Sequence, residues 1–427
     1  RFFGSASLGA FTLTGGYVRR DKDIPTSSFG AVFPDPTGWY LGESYFTEAR
    51  YEKEHDGTSV QARLFRDWHK FDSKMTMEDP MMNPIAPFRL VMRDQAEARS
   101  WGAETKVTRT LLERHTATAG AEYRRIYRIT QTIFAEDPFT SFLDTNRNSY
   151  IWALFLQDEV RLAEGLLLNV GIRHDHYGTF GGTTNPRAAL IWSPRETTAL
   201  KLLYGQAFRA STPFELYWND GGLTQKASPD LKPERIRTIE VAWERGLGKN
   251  LRSVVAAYEN RIKDLIGVVT DPADGLDVSR NLGEARGRGV EVELAGKWDS
   301  GFEGRVSVNF QRTKDGATGK RLPNSPPYTI QANGIAPLYP GKIFAGIEGQ
   351  FIGHREPARP AHSTPAGGYA VLNLTLHARE LVKGVDASAT VYNLLDRSCS
   401  DLGGPEHLQE LIPQDGRSFR VKVTASF

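Results

Sequence analysis

Apolar and polar residues alternate along much of the chain, and the alternation is most regular at its C-terminal end. Every second residue of the last segment is apolar. These residues are Phe419, Val421, Val423, Ala425 and Phe427. Because successive side chains of a strand point to opposite faces, this segment is predicted to be a strand with one apolar and one polar face. Arg420 and Lys422 are predicted to lie on the polar face.

Other stretches with the same alternation recur throughout the sequence, whereas sustained helical periodicity is hard to find. They occupy residues 166–173, 239–244, 290–294, 306–310, 372–377 and 385–392. No run of about 18 apolar residues is present, which excludes transmembrane helices. The sequence therefore predicts an all-β fold in which each strand has an apolar and a polar face.

The connections between these strands alternate between short and long. Short turns are predicted near 55–57, 113–114, 164–165, 246–249, 300–301, 339–341 and 383–384. Long polar connections are predicted over 21–42, 72–94, 131–148, 208–232, 271–281, 313–325, 354–367 and 396–416. The strands have about 10 residues or more, against five or six in most globular sheets. Long strands with short turns at one end and long loops at the other predict a large antiparallel transmembrane β-barrel.

The strand count sets an expectation for the domain organisation. Counting back from Phe427 gives about 19 strands, and closed bacterial barrels have even numbers of strands. The chain starts within a predicted strand, without Met or a signal peptide. Residues 1–427 are therefore expected to be one barrel domain of a longer protein whose N-terminal part and first strands are missing.

Charge balance and cysteine content narrow the function further. The 427 residues include 53 basic and 51 acidic side chains, interspersed along the chain, for a net charge of +2. The basic patch typical of nucleic-acid binding is absent, so no nucleic-acid partner is expected. With Cys399 as its single cysteine, the chain cannot form an intramolecular disulfide or a zinc site built on cysteine pairs.

An ordered series of short motifs adds specificity. They are Tyr-Gly-Gln-Ala-Phe-Arg-Ala at 204–210, Ser-Pro-Asp-Leu-Lys-Pro-Glu at 228–234, Asn-Leu-Gly at 281–283, Arg-Gly-Val-Glu-Val-Glu at 288–293 and Asn-Leu-Leu-Asp-Arg at 393–397. With the C-terminal strand, which is similar to the assembly signal of bacterial outer-membrane barrels, the series resembles TonB-dependent outer-membrane receptors. Further motifs at 157–159, 171–173 and 185–187 extend the resemblance over most of the chain. No motif is specific alone, and an ordinary amphipathic edge strand is the alternative for the C-terminal segment.

The resemblance implies a barrel of the roughly 22-stranded type, filled by an N-terminal plug. It also implies uptake driven through TonB, which would bind the missing N-terminal region. The long connections would be extracellular and the C-terminus periplasmic. Phe419, Val421, Val423 and Phe427 would then face lipid and signal to the barrel assembly machinery, while Arg420 and Lys422 would face the lumen.

The connection 208–232 holds most of the candidate ligand-binding residues. They are Arg209, Tyr217, Trp218, Asn219 and Asp220, and connection 21–42 adds Trp39 and Tyr40. Flat aromatic faces beside polar and charged groups suit a bulky ligand with apolar and charged parts. Two alternatives stay open: Arg209 pairs with Glu234 at the base of the loop, and the aromatic residues belong to the membrane rim.

Three further features have a structural and a functional interpretation. Gly287 and Gly289 are expected to permit close backbone approach or a bulge. Glu291 and Glu293 suggest either acid–base chemistry or, more simply, a solvated lumen wall. The methionines of connection 72–94 suggest either a soft-metal site or an adaptable packing surface. They are Met75, Met77, Met81 and Met82.

The sequence has no pattern typical of an enzyme or a metal site. The nine His lack metal-ligand spacing, and no phosphate loop, Gly-x-Ser-x-Gly motif or dinucleotide fingerprint is present. We therefore expect no catalytic residue, metal or cofactor. His174 and His176 share a strand face without a third ligand and are expected at the lumen or rim.

The ligand class follows only from the resemblance. Haem receptors of this family usually have a His between the two motifs of the 200s, and residues 211–229 contain none. A ferric siderophore, a metal-chelate ligand, is the leading expectation, with cobalamin and oligosaccharides as alternatives. A passive porin-like channel and a soluble carbohydrate-binding β-sandwich are the competing classes of protein.

Overall fold

The structure is a computed structural model that describes residues 1–24, 31–32, 35–79, 88–222, 224–357, 364–404, 407 and 409–426. These residues form strands almost throughout, with one short helix. A single large antiparallel sheet contains 19 strands, which confirms the strand count predicted from the sequence. One sheet of this size excludes the two-sheet sandwich. No helix in the described part has the length and apolar character needed to cross a membrane.

In chain order, the elements are β1 (Phe2–Leu8), β2 (Phe11–Asp23), β3 (Trp39–His55), β4 (Thr58–Asp79), β5 (Phe88–Leu111), β6 (His115–Ala135), β7 (Thr140–Ala163), β8 (Leu166–Tyr177), β9 (Gly181–Arg195), β10 (Thr198–Arg209), α1 (Pro213–Tyr217), β11 (Gln225–Lys226), β12 (Glu234–Leu247), β13 (Leu251–Lys263), β14 (Ile266–Thr270), β15 (Asp277–Asn281), β16 (Glu284–Lys297), β17 (Glu303–Asp315), β18 (Tyr328–Tyr339), β19 (Ile343–Ile352), β20 (Tyr369–Val382), β21 (Val385–Tyr392), β22 (Ser400–Leu402), β23 (Leu411–Pro413) and β24 (Ser418–Ala425).

The short turns predicted from the sequence are present. At the β3–β4 turn, for example, Asp56 and Gly57 both have a positive φ, which glycine adopts without strain. Of the predicted long connections, 208–232 and 354–367 do separate successive long strands, although 358–363 lie outside the described residues.

Other predicted long connections are shorter than expected, and this is a correction. β6 extends to Ala135 and β7 begins at Thr140, so most of 131–148 is strand. Trp39 and Tyr40 are the first residues of β3 and do not belong to a loop. In 72–94 only residues 80–87, which lie outside the described part, separate β4 from β5. These strand ends could not be predicted from the sequence, because polar residues occupy both faces there and the apolar alternation is lost.

The chain divides into two compact units. Unit 1 comprises Arg1–Ala189, Gly205–Arg237 and Ile262–Glu284, and unit 2 comprises Leu190–Tyr204, Thr238–Arg261 and Ala285–Phe427.

In unit 1, strands β4 to β7 are far longer than a membrane crossing needs. They contain 22, 24, 21 and 24 residues, against about 9–11 for a tilted transmembrane strand. One face near the short turns exposes large apolar side chains, among them Leu64, Trp101, Tyr123 and Leu154. Farther along, the same face has the register pairs Lys70–Glu97 and Lys74–Arg93. The strand ends near the long connections therefore extend beyond the apolar band.

In unit 2, β24 pairs with β21 and continues an apolar face. Phe419, Val421 and Val423 lie opposite Val391, Ala389 and Ala387 and have exposed fractions of 74%, 76% and 66%. Arg420 and Lys422 lie on the other face, opposite Thr390 and Ser388. The alternation predicted for this strand is therefore present as far as Ala425, and Phe427 lies outside the described residues.

Candidate functional site

The connection between β10 and β12, residues 210–233, is termed the rim loop, and it starts with helix α1. Thr212 is the N-cap: its hydroxyl accepts a hydrogen bond from the Glu215 backbone N–H at 3.2 Å. In return, the Thr212 N–H donates to a Glu215 carboxylate oxygen at 2.8 Å. This reciprocal capping box, with Pro213 in the first turn, specifies a helix of only five residues.

Arg209 closes the base of the rim loop. Its guanidinium donates to both carboxylate oxygens of Glu234 at 2.7 and 2.8 Å and to both of Glu215 at 3.1 and 3.0 Å. Two bidentate contacts use the guanidinium geometry fully. The Arg209–Glu234 pair predicted from the sequence is therefore confirmed. Arg209, a predicted ligand contact, holds β10, α1 and β12 together.

Trp218 anchors the rim loop on unit 1. Its indole ring packs against a buried cluster formed by Met92, Ile133, Ala135 and Leu143 on β5, β6 and β7. Phe214 lies beside it with a ring-centroid distance of 5.3 Å. Trp218 thus stabilises the position of α1, and burial of one aromatic side chain against such a cluster contributes a few kcal/mol.

Asn219 and Asp220 form the turn that follows α1. Asp220 is 6% exposed, and its carboxylate accepts hydrogen bonds from the backbone N–H groups of Thr224 and Gln225 at 2.8–3.2 Å. The Asn219 side-chain oxygen accepts from the Gly221 N–H at 3.2 Å. Both side chains satisfy local backbone groups, as Asn and Asp commonly do in turns.

A second connection stabilises the rim loop from the side. Lys226 donates to Asp271 at 2.8 Å and to Asp274 at 2.6 Å, so the hydrogen bond from Lys226 lowers the pKa of each carboxyl. The side-chain oxygen of Asn281 accepts a hydrogen bond from the Lys232 backbone N–H at 3.0 Å. The side-chain N–H of Asn281 donates to the Lys232 backbone carbonyl at 2.9 Å. The Asn-Leu-Gly motif therefore has a structural role that its sequence did not reveal.

Trp39 is not brought together with the rim loop as one site. Trp39 shares a strand face with Lys74 and Arg93, and the Arg93 guanidinium lies 5.0 Å from the centre of its ring. Asp94, the next residue of β5, shares the opposite face with the cluster that binds Trp218. Trp39 and Trp218 therefore lie on opposite faces of the sheet in unit 1. Tyr40 lies opposite Ser73, on the same face as Asp94.

Among the predicted ligand residues of the rim loop, Tyr217 is the one whose side chain has not been assigned a role in holding the loop in place. Its ring faces the guanidinium of Arg147, an exposed side chain of β7, at 4.0 Å from the ring centroid. Arg147 was missed because the sequence predicted a loop over 131–148. The signal was present, since Leu143, Thr145, Arg147, Ser149 and Ile151 occupy alternate positions of one strand face.

An aromatic trio lies on the same face of unit 1. Tyr177 stacks on Phe180 at 4.7 Å and meets Phe208 edge-on at 5.6 Å. Tyr177 pairs with Ile151, four residues along β7 from Arg147, which corresponds to a separation of about 13 Å. Arg147, Tyr217 and this trio are termed the rim site. It combines flat aromatic faces with a fixed positive charge, which favours a bulky anionic ligand.

The methionines near the end of β4 contribute to packing in the part of the chain that the structure describes. Met77 and Met92 pack in the apolar cluster beneath Trp218, which supports the packing interpretation. Met81 and Met82 lie outside the described residues. Within the described ranges, no group of three or more His, Cys, Asp or Glu side chains is arranged to hold a metal ion.

The raised pKa of Asp94 leads us to expect that docking of the rim loop depends on pH. It lies partly buried near Trp218 in the charged extension of β5, beyond the apolar band. Burial raises its pKa to about 6, the Asp72 carboxylate adds to the rise, and Trp218 lowers it. Because this pKa exceeds the ordinary value of 3.8, we expect the docked loop to have its full stabilisation below about pH 4 and to lose it progressively as the pH rises through 6.

We expect Asp94→Asn to strengthen rim-loop docking at pH 8 by about 1–2 kcal/mol, since Asp94 is only partly buried. At pH 4 the effect should vanish because the carboxyl is then neutral. Amide hydrogen exchange of residues 212–222, corrected for the intrinsic rate, measures the difference. Asp144→Asn, at an exposed position of β7, is the control. Equal protection of wild type and Asp94→Asn at pH 8 would remove Asp94 from the docking equilibrium.

Comparison with known proteins identifies the family. Residues 2–394 match the family described as TonB dependent receptor-like, beta-barrel. The chain belongs to this family. TonB-dependent receptors are transport proteins of the outer membrane that bind small-molecule ligands such as siderophores.

Two similar curated proteins are a hemin receptor and an iron-regulated outer membrane protein. The hemin receptor of Yersinia pestis is 26% identical over 300 residues, covering 63% of this chain and 43% of that protein. The iron-regulated outer membrane virulence protein of Vibrio cholerae is 33% identical over 127 residues, covering 29% and 20%. The match therefore covers less than half the length of each of these relatives.

Solved structures confirm the fold. The ferric enterobactin receptor of Pseudomonas aeruginosa superimposes with a TM-score of 0.78 at 19% identity, covering 99% of this chain and 68% of that one. At this identity the similarity shows the fold alone, that of a TonB-dependent barrel. It confirms the fold class predicted from the sequence.

Proposed function

We propose that the chain is the barrel of an outer-membrane receptor that binds a ferric siderophore and imports it with energy supplied through TonB. Family membership supports receptor-mediated transport, and a family of transport receptors favours neither catalysis nor passive diffusion. The observation that supports an anionic chelate is the Arg147 guanidinium held against Tyr217, with three further aromatic rings about 13 Å away on the same face.

The proposed orientation places the long connections outside the cell. The strand ends beside the rim loop have charged residues on both faces, which suits water, whereas the apolar band lies nearer the short turns. The C-terminus would then be periplasmic. Phe419, Val421 and Val423 would face lipid and, with Phe427, present the signal that the barrel assembly machinery recognises.

The proposed receptor includes parts outside this chain. This chain covers 68% of the solved relative, and its match covers 43% of the curated hemin receptor. An N-terminal plug and a segment that binds TonB would account for the remaining length. In such a receptor the plug apex would complete the rim site from below, so ligand binding is best measured on the full-length protein.

Haem is the second candidate ligand, because one of the similar receptors is a hemin receptor. The rim loop argues against it, since residues 211–229 contain no His that could coordinate the iron. The positive charge of Arg147 also complements a negatively charged catecholate chelate better than it complements an iron porphyrin. Cobalamin and oligosaccharides lack a comparable anionic aromatic surface.

We expect Arg147→Gln with Tyr217→Ala to weaken binding of a ferric tris-catecholate about 10- to 100-fold. A desolvated cation–aromatic contact contributes up to about 2 kcal/mol, and an aromatic contact about 0.5–1.5 kcal/mol. Fluorescence quenching of the purified full-length receptor measures the affinity. Trp218 is left intact because its loss would displace the rim loop.

The matched control is Arg252→Gln with Tyr339→Ala, which changes the same residue types at the short-turn end of unit 2. Haemin and cyanocobalamin are titrated in parallel. Unchanged catecholate affinity in the rim-site variant would remove Arg147 and Tyr217 from the site. Preferential binding of haemin by the wild type would replace the siderophore with haem.

A further inference from the structure

Unit 2 has a second unusual surface, on the apolar face of β16 and β17. Val290 and Phe310 face each other across the two strands and are 40% and 56% exposed. Moving away from the short turns, the next rung of this face pairs Arg288 with Arg312, and the one after it pairs Arg286 with Lys314. These four side chains are termed the cation rungs.

Two successive like-charge pairs are unfavourable in isolation, because like charges directly opposite each other destabilise a sheet. One carboxylate compensates in part: Glu259 lies 2.6 Å from Arg288 and 3.6 Å from Arg286. Among the described residues no carboxylate lies within ion-pair distance of Arg312 or Lys314. The surface therefore has a surplus of positive charge that an external anion would neutralise.

Unit 1 shows how this chain arranges charges elsewhere on a comparable face. There Arg93 contacts Asp72 at 2.6 Å and Glu136 at 3.1 Å, and Lys74 contacts Glu136 at 3.3 Å. Cations and carboxylates alternate, so the charges are balanced internally. The surplus at the cation rungs is thus a local feature of β16 and β17.

An apolar groove begins where the cation rungs end. Its volume is about 600 Å³, and Arg288 and Arg312 lie at its charged end. The apolar lining comes from Ile239, Val241, Ala257, Val290 and Phe310. These side chains lie on the exposed apolar face, so the groove opens towards the medium that covers that face.

An aromatic row marks the level of the cation rungs. Phe310 lies 6.4 Å from Tyr328, and Tyr328 stacks on Phe351 at 5.6 Å, all on the apolar face. Aromatic residues concentrate at membrane–water interfaces. Arg312 is two residues beyond Phe310, about 7 Å along the strand, which places its guanidinium at the level of lipid headgroups.

We propose that the cation rungs and the groove bind a phosphorylated, multiply acylated lipid of the surrounding leaflet. The guanidinium groups of Arg288 and Arg312 bind phosphate oxygens, for which their paired donors are suited. The acyl chains occupy the groove over Val290 and Phe310. This site shares no residue with the rim site, and its occupation does not depend on the ligand that the receptor imports.

The test compares lipid binding by two matched variants of the full-length receptor in detergent. Arg288→Gln with Arg312→Gln removes two charges from the site. Lys297→Gln with Arg305→Gln removes two charges from the opposite face of the same two strands. Native mass spectrometry measures binding of diphosphoryl lipid A and of the same lipid without its phosphates.

We expect the first variant to bind diphosphoryl lipid A about tenfold more weakly, a change of about 1.4 kcal/mol, and the second to bind it as the wild type does. Removing the lipid phosphates should weaken binding to the wild type by a similar factor. If the double variant does not assemble, Arg312→Gln alone is measured instead, because it breaks no internal ion pair. It should also weaken binding of diphosphoryl lipid A.

Equal binding of the lipid by wild type and Arg312→Gln would overturn the proposal. Equal binding of phosphorylated and dephosphorylated lipid A would also overturn it, because the cations would then have no role. If inorganic phosphate displaced the lipid at an equal concentration, the site would be a simple anion site, and the proposal of a lipid ligand would be wrong.

Discussion

Replacing Arg209 with alanine is expected to release the rim loop from its base. The substitution leaves the carboxylates of Glu215 and Glu234 side by side without their shared cation. Breaking a fully buried pair costs about 3–5 kcal/mol, and the partial exposure of Arg209 reduces this to about 1–3 kcal/mol. Ligand affinity should fall in parallel, since Tyr217 is positioned by the helix that Arg209 holds.

A lysine-specific endoproteinase measures loop opening through its cut after Lys226, a residue held in the closed loop by Asp271 and Asp274. We expect cleavage of Arg209→Ala to be at least about tenfold faster, which corresponds to about 1.4 kcal/mol. Arg209→Lys should restore part of the protection, because lysine keeps the charge without the forked donors.

Arg235→Ala is the matched control, since Arg235 is exposed on β12 beside Glu234. It removes the same charge from the same strand end without touching the hydrogen bonds of Arg209. If Arg209→Ala and Arg235→Ala were cut at the same rate, those four hydrogen bonds would have no role in closing the loop.

The sheet could be predicted from the sequence because apolar and polar residues alternate within each strand. Alternation of side chains requires nothing beyond the strand itself, so the faces of β24 and the positions of the short turns followed directly. The ends of β6 and β7 did not, because side chains there meet water on both faces and the polar pattern resembles that of a loop. Backbone pairing with the neighbouring strand, which the sequence does not show, decides where these strands end.

The candidate site was predictable only in part, for a related reason. The capping box at Thr212 and Glu215 and the Arg209–Glu234 pair depend on residues close to the loop, and the pair was anticipated. The burial of Trp218 depends on Met92 and Ile133, more than 80 residues away in the sequence. An exposed aromatic ligand contact and a buried anchor look alike until that contact is known.

Replacing Val421 or Val423 with arginine is expected to impair assembly of the receptor, whereas Thr424→Arg should be tolerated. Val421 and Val423 lie on the exposed apolar face of β24, and Thr424 lies on the opposite face beside Asp386. Arginine on a lipid-facing position costs about 2–4 kcal/mol at the midplane and about 0–1 kcal/mol near an interface. Val421 is farther than Val423 from the turn at Gly384, so Val421→Arg should have the larger effect.

The readout is the amount of folded, heat-modifiable receptor in the outer-membrane fraction of cells that express the full-length protein. Thr424→Arg adds the same side chain to the same strand and therefore controls for charge, size and loss of strand propensity. Arg420 and Lys422 already show that this face accepts cations beside Thr390 and Ser388. Equal yields for Val421→Arg and Thr424→Arg would mean that the two faces of β24 meet similar surroundings, which would contradict the assignment of Phe419, Val421 and Val423 to lipid. A larger loss for Val421→Arg than for Val423→Arg, with Thr424→Arg near the wild-type yield, would instead follow from the depth of the two valines in the bilayer.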